Sequence, residues 1–389
     1  DDTWQVETEA KGPSGSVAKL SGSMEPDGKI DAAYDATFVR IERFVPEFPG
    51  QVTAKGTAKR DADIWTVATD ATGPGALSMA IGGTVNQTTL VSDVTAKGQV
   101  QLAAANRFIK PNSVRGTANF DLALKGEPKP ESLSGRITAA NTTVAIPSVR
   151  QAIDDLDAEI VLANGSANVS VTAAPRAGGR LVITGPISLA PPFDASIITE
   201  IQQLVLTDNV IFDSSANGRL AFTGALTGSG NLAGDIQFGE TNIDINSMSG
   251  SLGAAPIPEI SHVGESSRQR ATRNRAGLIK TSDSSGGGPD IALDIRLVAQ
   301  NKVFVRGRGL QADLGGNILV RGTVAKVAPS GSIDLIRGNL ELLGRRLKLT
   351  KGLVTLQGNL EPYMEFAATT TTSDGDATLE ISLGTSAPS

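Results

Sequence analysis

Few residues in this chain could do chemistry. The one histidine is His262, so a nucleophilic triad or an imidazole metal site would rest on that side chain alone. Cysteine is absent, which excludes a thiol nucleophile, a disulfide framework and a thiolate metal site. Asp154, Asp155, Asp157 and Glu159 cluster without the spacing of a calcium loop and read as a solvated face. Arg306-Gly307-Arg308-Gly309 lacks the further glycine and the helix that a dinucleotide site needs, and reads as a turn between strands. Trp4, Trp65, Tyr34 and Tyr363 are too scattered to stack bases, and a net charge of −6 disfavours a nucleic-acid partner. The residues therefore point to no enzyme, no metal and no cofactor. What remains is the chemistry of apolar surface.

That surface is clearest from Pro289 to Phe366. Ile291, Leu293, Ile295 and Leu297 alternate with polar residues, as do Val303 and Val305, Ile333 and Leu335, Leu340 and Leu342, Leu347 and Leu349, and Val354 and Leu356. A period of two sends these side chains to one face of a sheet. Asp294, Arg296, Asp334, Glu341, Lys348, Thr355 and Glu365 fall on the other face. Asn301 and recurrent glycines (Gly307, Gly315-Gly316, Gly322, Gly331, Gly338, Gly352) punctuate runs of about five residues, which reads as a ladder of short antiparallel strands. At about ten residues per strand and turn, the chain would hold about 35 strands. Their sheet would run roughly 170 Å at about 4.8 Å per strand. An open sheet of that extent curls, and its aliphatic face becomes the inside of a trough.

The remainder repeats the theme less regularly. Forty-three glycines are too many for a helical protein, and 4% aromatic residues are too few to plug a wide interior. No run of about 18 apolar residues is present. Pro46 and Pro49 interrupt the ladder, and Asn164-Gly165 and Asn217-Gly218 read as hairpin turns. Residues 147–155 fit a short helix, with apolar residues at 149, 152, 153 and 156, but also fit a strand. Residues 262–288 are poor in apolar residues, carry five cations and end in Ser-Gly, as expected of a flexible insertion. It is either a solvated loop or a basic loop touching anionic headgroups. The organisation expected is a Gly-punctuated ladder over 1–261, the insertion over 262–288, and a second ladder over 289–389.

The second ladder also carries a resemblance. Phe304-Val305-Arg306-Gly307-Arg308-Gly309-Leu310, Val320-Arg321-Gly322-Thr323, Ile336-Arg337-Gly338, Leu343-Gly344-Arg345-Arg346-Leu347, Leu349-Thr350-Lys351-Gly352 and Leu356-Gln357-Gly358-Asn359-Leu360-Glu361-Pro362 resemble, in order and spacing, the C-terminal region of the TamB family. That family belongs to the AsmA-like envelope proteins of diderm bacteria. The resemblance implies an elongated, curled β-sheet, or β-taco, with a hydrophobic groove, lying in the periplasm. It implies phospholipid transfer between inner and outer membranes, the outer-membrane barrel protein TamA as partner, and an inner-membrane anchor upstream of this stretch. On this view the chain is a piece of a longer protein.

The fold expected is therefore all-β, one elongated curled antiparallel sheet around a hydrophobic interior. Three functions compete. The first is a phospholipid-conducting groove lined by Leu293, Ile295, Val305, Leu335, Leu342, Leu349, Leu356 and Phe366. The second is an assembly chaperone for outer-membrane β-barrel proteins or autotransporters that pairs its strand edge with a client. The third is a plugged β-solenoid, such as an adhesin passenger. The drifting period of the ladder disfavours the third.

Overall fold

The computed structural model describes residues 3–12, 15–43, 49–147, 151–208, 211–246, 290–342, 344–372 and 375–383. They form one sheet of 22 strands. The first are β1 (Trp4–Lys11), β2 (Val17–Met24), β3 (Ile30–Phe38), β4 (Val52–Asp61), β5 (Ile64–Gly73), β6 (Leu77–Asn86) and β7 (Ser92–Gln101). Longer strands follow: β8 (Ser113–Gly126), β9 (Leu133–Ile146) and β10 (Gln151–Ala163). Then come β11 (Ser166–Ala173), β12 (Arg180–Ser188), β13 (Asp194–Thr207), β14 (Phe212–Ala225), β15 (Ser229–Phe238) and β16 (Thr241–Asp244). The last are β17 (Asp290–Gly307), β18 (Leu310–Thr323), β19 (Val327–Leu342), β20 (Arg345–Gln357), β21 (Tyr363–Thr372) and β22 (Gly375–Leu383). No helix among the described residues is long and apolar enough to cross a membrane.

Successive strands pair antiparallel, with one exception. β15 and β16 lie end to end along β14. Both pair with β17 in parallel, Leu232 opposite Leu293 and Ile243 opposite Val305. The ladder is thus continuous from the first strand to the last. Each strand packs chiefly against its two neighbours, and among the described residues no second layer covers either face.

The registers put one set of side chains on one face along the whole ladder. Val67 lies opposite Gly83, Phe120 opposite Ile137, Ile160 opposite Val169, Ile201 opposite Leu181, and Phe222 opposite Leu232. Leu293, Ile295 and Leu297 continue this face, as do Val320, Ile333 and Val354. Among the described strand residues, only Arg60 and Arg345 carry a charge on it, one at each rim. The other face carries cross-strand ion pairs, among them Lys59–Asp31 at 2.8 Å, Lys97–Asp121 at 2.9 Å and Arg136–Glu159 at 2.7 Å.

The apolar face is the concave one. On β3, Ala32 and Ala36 are buried while Ala33, the same side chain on the opposite face, is exposed. With no layer above the sheet, only curling can bring neighbouring side chains over the small residues of one face. Bulges supply the bend. β4 to β7 are ten residues each and pair without a shift. β17, at 18 residues, would run about 60 Å if straight. Each strand of thirteen residues or more carries or faces a break in register. These breaks fall at Gly116, Asp154-Asp155, Gln202-Gln203, Gln300–Lys302, Asp313/Leu314 and Thr350. From β13 to β20 they line up across neighbouring strands as a crease. An extra residue on one strand lengthens its outer arc and bends it.

Glycine on the concave face does the rest. A Cβ on Gly83, at φ +145°, would sit 2.1 Å from the Asp93 carbonyl oxygen of the next strand. Backbones approach here more closely than any side chain allows.

Two expectations need correction, and of two open readings one holds. The strands run to 18 residues rather than five and, among the described residues, number 22 rather than about 35, so the sheet extends roughly 100 Å. The cause is that Gly315-Gly316, Gly331, Gly338 and Gly352 lie inside strands, where they admit a neighbouring backbone or a large side chain, and turn nothing. Asn217-Gly218 also lies within a strand, β14, and its Asn217 Oδ1 accepts the Gln203 backbone N–H at the crease. Asn164-Gly165 does turn, with both residues at positive φ. Residues 151–155 are strand: the bulge at Asp154-Asp155 sets Ile153 and Leu156 three apart on one face, which imitates a helical period. The insertion and His262 lie outside the described residues.

Candidate functional site: the concave apolar face

The eight candidate residues all fall on the concave face by register. Most stand opposite small partners. Leu293 faces Gly322, Val305 faces Ala312, Leu349 faces Gly338 and Ala368, Leu356 faces Gly331, and Phe366 faces Gly352. Ile295 and Leu335 face Val320 and Leu314. Large beside small lets the sheet curl without filling the trough.

Their burial is uneven. Leu349 is 6% exposed, in a cluster with Leu347, Ala312 and Ala368, against which Val305 and Leu335 also pack. Leu293, Ile295, Leu356 and Phe366 are half-buried. Leu342 stands at the rim, 47% exposed, opposite Arg345.

The described side chains do not fill the trough. Of the eighteen buried apolar residues among them, twelve are alanine. Among the described residues no side chain larger than that of Thr142 is less than 2% exposed, where a plugged interior would hide leucines and phenylalanines. Apolar surface left in water costs about 25 cal/mol per Å². A face this long, this aliphatic and this nearly free of charge therefore favours an apolar occupant.

Sequence reasoning missed much of the face. Leu310, Leu314 and Ile318 share it with the eight candidates. So do Leu181, Ile183, Leu204 and Phe222 far upstream. Alternation through the internal glycines, rather than up to them, would have found them.

On the convex side, the crease holds one buried carboxylate. Asp313 is 7% exposed. Arg337 Nε donates to one of its oxygens at 2.5 Å and Arg306 Nη2 to the other at 2.9 Å. The Arg337 hydrogen bond holds the Asp313 carboxyl below the usual carboxylate range, against desolvation, with Arg306 adding to it. A depressed carboxyl contributes stability that is present above its unfolded pKa, about 3.9, and lost as pH falls through the lower folded value. Asp313→Asn is expected to cost about 1–2 kcal/mol at neutral pH, discounted for the exposure of both guanidiniums. The wild-type advantage over this variant should shrink below about pH 4 in urea titrations. A constant difference across pH would show that the two arginines do not hold the carboxylate.

With the geometry in place, the comparisons can be set against it. The family model described as the TamB C-terminal domain matches residues 168–388, more than half of the chain. Comparison with curated proteins gives no match. The matched stretch opens in β11 and takes in the crease, the buried cluster and all eight candidate residues.

Proposed function

The chain belongs to the TamB family, and from that premise we propose that its concave face holds the acyl chains of phospholipids and passes them along the sheet. The family is a non-enzymatic one of the bacterial envelope, and its role lies in the translocation and assembly module and in outer-membrane biogenesis. Within that role the chain would be a periplasmic bridge, tethered to the inner membrane by a segment upstream. TamA would meet it at the outer membrane. The observation that carries the reading is the apolar face of the described residues: continuous over 22 strands, charged only at Arg60 and Arg345, and with few large side chains buried on it. Acyl chains are the occupant such a face accepts, because they need no polar partner and conform to any register.

Solvent extraction of the purified chain followed by mass spectrometry tests it. Phospholipid should be recovered in at least molar equivalence. Extracts free of lipid from protein folded by circular dichroism would remove the reading and favour strand-edge pairing with a client protein.

A further inference from the structure

Turns between strands alternate between two rims of the trough, and the rims differ in charge. The first rim carries Glu25, Asp27, Asp63, Glu127, Glu131 and Glu361 against Lys29, Lys129 and Lys326. Described turns of the second carry Arg40, Arg107, Lys110, Arg176 and Arg308 against Glu42 and Asp208. Three cations, with Glu341 opposite one of them, come together where two neighbouring hairpins of the second rim meet. Arg308 is at the tip of β17–β18, and Arg345 and Arg346 open β20 after the β19–β20 tip. The two hairpins touch through the Glu341 N–H, which donates to the Gly309 carbonyl at 2.9 Å.

Two observations set this corner apart. Several convex-face cations have an acid across the strand, as Lys59 and Lys97 do. Arg308 and Arg345 are exposed and make no ion pair with a described residue. Arg345 also stands on the apolar face itself, opposite the half-exposed Leu342 and beside the buried cluster of Leu347 and Leu349. Cation and aliphatic surface thus share one lip of the trough.

We propose that Arg308 and Arg345 seat the phosphate of an anionic phospholipid whose acyl chains lie on the concave face beside Leu342, so that headgroups line the second rim. The proposal rests on the lipid-groove reading above and adds an orientation and a headgroup preference to it. Guanidinium binds phosphate through paired, charge-assisted hydrogen bonds. The acidic first rim repels the same group, so a lipid lying across the trough has one favoured direction.

The test uses the whole chain and two fluorescent probes with identical acyl chains, phosphatidylglycerol and the phosphate-free diacylglycerol. The wild type should bind phosphatidylglycerol about tenfold more tightly. Arg308→Gln/Arg345→Gln should bring that ratio close to one while leaving diacylglycerol binding unchanged, which also reports an intact groove. Lys59→Gln/Lys97→Gln removes the same charge from the convex face and should keep the ratio. A ratio that survives Arg308→Gln/Arg345→Gln, or that falls equally in the convex-face variant, overturns the seat but leaves the groove standing. Failure of the wild type to bind either probe overturns the groove reading as well.

Discussion

Leu349→Asp is expected to lower stability by about 3–5 kcal/mol, whereas Leu342→Asp should cost under about 1 kcal/mol. Both side chains point to the concave face from neighbouring strands, but Leu349 is 6% exposed and Leu342 is 47% exposed. At 349 a carboxylate would lie among Leu347, Ala312 and Ala368 without a partner, and must either lose its hydration or take up a proton. At 342 it would remain in water, opposite Arg345. Because each strand packs chiefly against its neighbours, the damage should stay local. Hydrogen exchange should show loss of protection in β18 to β21 and unchanged protection in β4 to β7. Comparable losses from the two variants would mean that the face is not deepest at the buried cluster.

The second large effect is a reversal of sign between adjacent glycines of β6. Gly82 points to the convex face, where an added Cβ meets only the Val67 carbonyl oxygen at 3.8 Å. Gly82→Ala should stabilise by about 0.4–1 kcal/mol, because it restricts the unfolded chain. Gly83 points into the trough, has φ +145° and leaves no room beside the Asp93 carbonyl. Gly83→Ala should destabilise by about 2–4 kcal/mol, from backbone strain together with overpacking. Urea midpoints of the two single variants decide the matter. If both move in the same direction, the close approach of β6 and β7 is not what curls this part of the sheet.

These contrasts show what could be read before the fold was known. Period-two alternation assigned Leu293, Ile295, Val305 and Leu335 to one face because a strand has only two faces, and no tertiary knowledge is needed to choose between them. Strand length was not legible. A glycine that ends a strand and one that admits a neighbouring backbone look alike in sequence, and Gly331 was read as the first when it is the second. The crease was hidden for a related reason. Its breaks at Asp154-Asp155 and Gln300–Lys302 are ordinary polar residues, whose alignment arises only when the strands are laid side by side. Arg337 lay in view within Ile336-Arg337-Gly338, but its partner Asp313 is on another strand. Arg345 was likewise visible as part of a hairpin motif, and only its register with Leu342 sets it on the apolar face.

Whether the concave face carries lipid is most directly measured by site-specific photo-crosslinking in cells. A photoreactive residue is placed in turn at 335, 342 and 356, on the concave face, and at 334, 341 and 355, on the convex face. Adducts are identified by mass spectrometry. The first three positions should capture phospholipid and the second three should not. Equal capture from both sets, or capture from neither, would contradict a lipid-holding groove.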